Sequence, residues 1–86
     1  MNYRVVLSPR AQRDLKKLER SVKQRIDGAL FELKTNPHVA NAQFLKDNRL
    51  ADFRIRAGDY RILYDVYEED GVVYVLRIGH RKDIYR

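Results

Sequence analysis

No cysteine and no tryptophan occur in this chain, and methionine appears once. Without cysteine there are no disulfides and no thiolate metal ligands, so packing alone must hold the fold and a reducing compartment is compatible. The acids and the two histidines form no cluster with metal-ligand spacing, and the four glycines build no phosphate-cradling loop. The longest apolar runs, such as Val72 to Leu76, are far too short to cross a bilayer. The opening MNYRVVLSPR lacks the continuous apolar stretch of a secretion signal. These absences leave a soluble, cytoplasmic protein as the expectation, with no membrane association, no metal and no cofactor.

What the chain does have is positive charge. Lys and Arg number 18 against 12 acids, a net charge of +6 over 86 residues. A chain of this length makes a single domain, 1–86, with a modest core. The excess charge points to an anionic partner, either nucleic acid or an acidic protein.

Asn2 to Leu7 alternates, with Tyr3, Val5 and Leu7 on one face, and reads as a strand. Ser8-Pro9 follows as an N-cap with proline at the first helical position, where its missing N–H goes unneeded. Ala11, Leu15 and Leu18 mark one helical stripe, with Arg10, Arg13, Lys16, Lys17 and Arg20 around it. Ser21 is placed to cap a second helix whose inward face is Val22, Ile26, Ala29, Leu30 and Leu33, and Asn36-Pro37 ends it. His38 to Leu50 reads as a connecting loop anchored by Phe44 and Leu45. Three strands follow, about 51–57, 60–68 and 72–79. The order β-α-α-β-β-β predicts an α+β domain: a twisted antiparallel sheet with an N-terminal helical hairpin on one face.

The stretch DFRIRAGDYRILYDV, residues 52–66, holds the most information. With Gly58-Asp59 as a two-residue hairpin loop, Ala57 opposes Tyr60, Arg56 opposes Arg61, Ile55 opposes Ile62 and Arg54 opposes Leu63. Opposed and alternate residues share a face, so Arg54, Arg56 and Arg61 converge on one side, and Phe53, Ile55, Ile62 and Tyr64 lie on the other. Like charges side by side on a sheet are destabilising, which an anion would offset. For the last hairpin, a three-residue loop, Glu69-Asp70-Gly71 with Gly71 left-handed, places Arg77, Gly79 and Arg81 with Arg61 and Asp65, and Tyr74, Leu76 and Ile78 on the apolar side. A two-residue loop would put Arg77 and Arg81 into the core.

The closing IGHRKDIYR adds His80, Arg81, Lys82 and Tyr85 near these arginines. Such a set suits attack on a phosphodiester, because guanidinium forks match the oxygens over which the transition state spreads its charge. An imidazole or phenol can move protons or stack on a base. RNA supplies its own nucleophile, the 2′-hydroxyl. Each feature also has a plainer reading: Arg61 paired with Asp59 or Asp65, Arg77 paired with Asp65 or Glu68, His80 as a strand-end cap, Tyr85 as a terminal aromatic docked on the sheet, and the basic first helix as a solvated face.

The opening strand with Ser8-Pro9, the block FLKDNRLADFRIRAGDYRILYDV and the closing GHRKDIYR resemble the RelE/ParE superfamily of type II toxin–antitoxin systems over nearly the whole chain. The resemblance implies one of two activities. RelE-like members cleave mRNA in the ribosomal A site, without a metal, through the 2′-hydroxyl; ParE-like members inhibit DNA gyrase. By position, Arg54 and Arg56 match the family's basic pair, Arg61 and Arg81 its phosphate-stabilising arginines, and Tyr85 its C-terminal tyrosine, with Lys82 as a further RNA contact. This basic set favours a ribosome-dependent mRNA endoribonuclease; the alternative is a gyrase inhibitor or a catalytically silent antitoxin binder. The basic pair is often lysine in RelE-like enzymes, where a lysine moves the proton. Arginine is a poor base, so His80 or Tyr85 takes that place in the expected mechanism. The resemblance also implies a cognate antitoxin with an acidic toxin-binding segment, and contact with operator DNA only through the toxin–antitoxin complex.

Overall fold

The structure, a computed structural model, describes residues 2–38, 42–45 and 51–84. The chain forms β1 (Arg4–Leu7), α1 (Pro9–Lys16), α2 (Arg20–Thr35), β2 (Gln43–Phe44), β3 (Phe53–Ala57), β4 (Tyr60–Tyr67) and β5 (Val72–His80). The strands build one sheet in the order β1-β5-β4-β3-β2. The α+β class holds, with two refinements. The sheet is mixed, because β1 joins β5 in parallel, and part of the expected loop 38–50 adds β2 as an antiparallel edge on β3. Two residues are too short a run to show alternation, so β2 leaves no periodic signal.

Ser8 acts as expected and does more. Its hydroxyl accepts the Ala11 N–H at 3.0 Å, capping α1, and donates to the Leu76 carbonyl at 2.9 Å. Ser21, by contrast, lies inside α2; the cap is Glu19, without a side-chain bond. Leu18 and Val22 both pack on the core, and that packing sets the start of the helix ahead of Ser21. The end is as read: Asn36 leaves the helix, and its Oδ1 accepts the His38 N–H at 3.1 Å.

The helices cover one face of the sheet. Ala11, Ile26 and Leu33 pack there against Ile55, Ile62, Tyr64, Val73, Val75 and Ile78. Tyr64 is fully buried, stacks on Phe53 at 5.5 Å and donates to the Pro37 carbonyl at 2.6 Å. Burial pushes its hydroxyl from 10.0 up to about 12. In the unfolded chain this phenol ionises near pH 10, while in the folded one it stays protonated. The stability it contributes is therefore present below pH 10 and is lost as pH rises from 10 to about 12. The loss should reach at most about 3 kcal/mol, from about 1.4 kcal/mol per unit. Urea unfolding between pH 9 and 11 should show this slope, and Tyr64→Phe should flatten it.

The β3–β4 hairpin has the predicted register in every pair from Phe53↔Tyr64 to Ala57↔Tyr60. Gly58 has φ +62 and Asp59 does not adopt positive φ, the arrangement of a II′ turn with glycine first. The β4–β5 hairpin differs from expectation. Tyr67 pairs with Val72, so the loop is the four residues 68–71, with Gly71 left-handed at φ +63. Parity is restored by a bulge instead: Leu63 pairs with Arg77 but Tyr64 with Val75, leaving Leu76 as the extra residue. Its carbonyl is the one that Ser8 takes. The bulge keeps Arg77 out of the core as the odd loop would have done. It also reverses two placements, since Val73 and Val75 fill the core while Tyr74 faces the Asp65 side and Leu76 the arginine side.

Arg77 pairs with neither Asp65 nor Glu68. Past the end of β1, α1 covers the edge of β5, and there Asp14 Oδ2 accepts from Arg77 Nε at 3.1 Å and from the Ile78 N–H at 3.0 Å. Glu68 instead accepts from the Tyr3 hydroxyl at 2.6 Å and lies 2.7 Å from His38 Nε2, two bonds that hold its carboxyl below the usual range.

Candidate nucleic-acid interface

The face of the sheet away from the helices carries the arginines in rows set by the register. Arg56, Arg61 and Gly79 form one row across β3, β4 and β5; Arg54, Leu63 and Arg77 form the next. Counting out from a two-residue loop, Arg56 and Arg61 form a pair of the closer, non-hydrogen-bonded kind, with Cα atoms about 4.5 Å apart. Two unit charges about 5 Å apart repel by roughly 1 kcal/mol in water and about 3 kcal/mol at a surface-like dielectric. That cost is small enough to fold against and large enough to favour an anion between them.

This face is not wholly solvated. Leu63, Ala51 and Ile84 are buried together on it, with Leu45 and Leu76 packed around them. Leu45 is thus an anchor as expected, whereas Phe44 lies on the opposite face against Phe53 and is 59% exposed. The small apolar cluster docks the chain after β5. The Asp83 and Ile84 N–H groups both bond the His80 carbonyl, at 2.9 and 3.0 Å, which closes a helical turn over the sheet. Gly79 makes room for it: a methyl there would meet Ile84 Cδ1 at 3.2 Å. Gly79→Ala should destabilise by about 1 kcal/mol, as over-packing does. It should also displace the turn bearing Arg81 and Lys82, which thermal unfolding and a cleavage assay would register together.

Each cation is held by its local structure. Arg61 Nη1 donates to the Gly58 and Tyr60 carbonyls, both at 3.0 Å, so its guanidinium curls around the hairpin turn. The Arg81 N–H bonds the Asp59 carbonyl at 2.8 Å, and its Nε lies 3.9 Å from Asp59 Oδ1. Both side chains of that pair are mostly exposed, 57% and 70%, so the attraction is weak and easily exchanged for an anion. Arg54 Nη2 bonds Gln43 Oε1 from the neighbouring β2, and Arg56 is exposed. Farther along this face, Asp65 Oδ1 accepts the Asp52 N–H at 2.7 Å, and burial pushes its carboxyl above the usual range.

Arg56 and Arg61 therefore oppose each other beside the hairpin turn, which Arg81 also approaches, while Arg54 shares their face one row farther from the turn. His80 does not join them. It pairs with Tyr60, and the two rings meet edge to face at 5.3 Å on the helix side of the sheet. Its Nδ1 accepts the Lys82 N–H at 3.1 Å, which leaves the proton of the neutral ring on Nε2. Tyr85 lies outside the described residues. One cation at this end escaped the sequence reading: Arg25 of α2, whose guanidinium rests against Gly58. Nothing local signals such a long-range approach.

Among the described residues no group of three or more His, Cys, Asp or Glu side chains could hold a metal ion, and no helix is long and apolar enough to cross a membrane.

Comparison with known proteins agrees with this architecture. A protein family described as the ParE toxin of the type II toxin–antitoxin system, parDE, matches residues 5–85. Toxin RelG of Mycobacterium tuberculosis is 36% identical over 87 residues, spanning 100% of this chain and 99% of RelG. The mRNA interferase toxin RelE of Escherichia coli is 26% identical over 82 residues, spanning 95% of this chain and 86% of RelE. Among solved structures, the RelBE2 toxin–antitoxin complex of M. tuberculosis superposes with a TM-score of 0.83 at 30% identity, over 94% of this chain and 100% of that one. The archaeal RelE–RelB complex of Pyrococcus horikoshii gives 0.81 at 26% identity, over 96% and 99%. With a match running almost end to end, the chain belongs to the RelE/ParE superfamily, toxins of type II toxin–antitoxin systems.

Proposed function

We propose that this toxin is a ribosome-dependent mRNA endoribonuclease that cleaves in the A site by attack of a 2′-hydroxyl on the adjacent phosphate. The observation that carries this reading is the convergence of Arg61 and Arg81 on one hairpin turn, with Arg56 directly opposite Arg61. As the 2′-oxygen bonds to phosphorus and the 5′-oxygen leaves, negative charge builds on the non-bridging oxygens. In this reading Arg61 and Arg81 exchange their turn contacts for that charge and hold it with their guanidinium forks. Arg54, Arg56 and Lys82 contact the RNA backbone and set its path.

One proton must leave the 2′-hydroxyl and one must reach the 5′-oxygen. Arginine stays charged and does not accept the first. His80, with Nδ1 occupied by Lys82 and its ring on the far side of the sheet, is poorly placed for it. The task falls to Tyr85 and to groups of the A site itself, and that division of labour accounts for dependence on the ribosome.

The alternative reading, inhibition of DNA gyrase, draws on the ParE description of the matching family. Mapping 5′ ends by primer extension on translated mRNA separates the two. Cuts at the A-site codon, absent without ribosomes, support the nuclease. Intact mRNA with arrested gyrase supports the alternative.

The partner in this reading is an antitoxin whose toxin-binding segment is acidic and covers the arginine face. Titrating salt against the complex should weaken it about tenfold or more between 0.1 and 0.5 M if charge matching dominates. Undiminished affinity would mean that apolar burial holds the pair.

A further inference from the structure

Three elements send a guanidinium to the tip of the β3–β4 hairpin. Arg25 comes from α2. A side-chain carbon built on Gly58 would run into its Nη1 and lie 3.4 Å from its Cζ and 3.5 Å from its Cδ, so the group rests on the glycine backbone. From β4, Arg61 Nη1 bonds the carbonyl of the same glycine at 3.0 Å. From the turn after β5, Arg81 approaches the carboxylate of the next residue, Asp59, at 3.9 Å. Among the described residues, Arg25 has no hydrogen-bond or ion-pair partner. Two turn residues are thus shared by three cations and one anion. The φ of +62 favours glycine at 58, and a larger residue there would also shift the tip of Arg25.

We propose that Arg25 is a third phosphate-binding guanidinium of this toxin, holding a backbone phosphate of the RNA next to the scissile one as the strand crosses the hairpin tip. This rests on the RNA reading above and extends it: the cationic track does not stop at the arginine face but wraps the end of the sheet onto α2. A backbone phosphate is the fitting ligand, because adjacent phosphates along one strand can meet charges on both sides of a narrow edge. A guanidinium that meets the glycine through Nη1 keeps its remaining N–H groups available to such an anion.

The test is binding of a fluorescein-labelled 2′-O-methyl RNA 12-mer, which cannot be cleaved, followed by anisotropy across a salt series. Wild type, Arg25→Gln, Arg25→Lys and Lys34→Gln, an exposed change at the other end of α2, are compared. Arg25→Gln should weaken binding about 5- to 10-fold at low salt and flatten the plot of log K against log salt by about 0.7, the loss of one phosphate contact on a single strand. Arg25→Lys should keep the slope, Lys34→Gln should change nothing, and thermal midpoints should match wild type. An unchanged slope in Arg25→Gln overturns the proposal while leaving Arg61 and Arg81 in place. Equal losses in Arg25→Gln and Arg25→Lys overturn it in favour of a packing role. No binding by wild type overturns a phosphate track that the toxin forms by itself, whereas failure of the ribosome-dependent reading would show separately, as intact mRNA in primer extension.

Discussion

Arg61→Ala should lower single-turnover cleavage of ribosome-bound mRNA by about 100- to 1,000-fold, the loss seen when one preorganised donor to a developing oxyanion is removed. Its fold should survive, because Arg61 belongs to neither apolar cluster and its guanidinium bonds the Gly58 and Tyr60 carbonyls of an exposed turn that water can reach. Arg61→Lys keeps the charge but not the fork, and should recover only part of the loss. Arg81→Ala should behave similarly. The double variant should fall short of the product of the two effects, since both groups act on one phosphate. Thermal unfolding alongside the kinetics separates this outcome from misfolding. Equal loss of rate and of thermal midpoint would assign Arg61 to the scaffold.

The largest effect on stability should come from a residue far from this chemistry. Asp14 is 10% exposed and Arg77 16%, so their pair is largely removed from water. The same carboxylate accepts the Ile78 N–H at 3.0 Å and, through its other oxygen, Arg10 Nε at 3.3 Å. It acts as the missing neighbour strand where β1 has ended and β5 continues. Asp14→Ala leaves a buried guanidinium and a ladder N–H without an acceptor, and should cost about 3 kcal/mol, the usual penalty for breaking a buried pair. In a domain of this size that lowers the thermal midpoint by more than about 10 °C. Replacing the pair together, Asp14→Leu with Arg77→Met, should restore part of the loss, because the stranded charge then disappears. A change of less than about 0.5 kcal/mol for Asp14→Ala, the range of an exposed pair, would contradict this account.

The parts of this fold that were legible in the sequence are those governed by short-range rules. A two-residue loop containing glycine permits one register for the alternating runs on either side, and from that register the faces of Arg54, Arg56 and Arg61 follow. Ser8-Pro9 and Asn36-Pro37 bound their helices through local chemistry. The β4–β5 register was less accessible, since an odd loop and an even loop with a bulge both keep Arg77 from the core. The choice between them involves the Leu76 carbonyl, which Ser8 meets from the far end of the domain. Arg77 likewise has acids nearby along its own hairpin, yet its partner lies on α1. His80 sits one residue from Arg81 in sequence, but successive strand residues face opposite ways, which sends its ring to Tyr60. Arg25 reaches the site only because α2 packs across the sheet, and no pattern within the helix marks it.

The most direct test of the central claim, that this arginine face drives attack by the RNA's own 2′-hydroxyl, is cleavage of mRNA carrying a single 2′-deoxynucleotide. It is placed in the A-site codon at the position mapped as the cut, on programmed ribosomes with wild-type toxin. The account predicts that the all-ribose message is cut there and yields a 2′,3′-cyclic phosphate, while the deoxy-substituted message stays intact at that bond. Cutting of the deoxy-substituted message at an undiminished rate would contradict it.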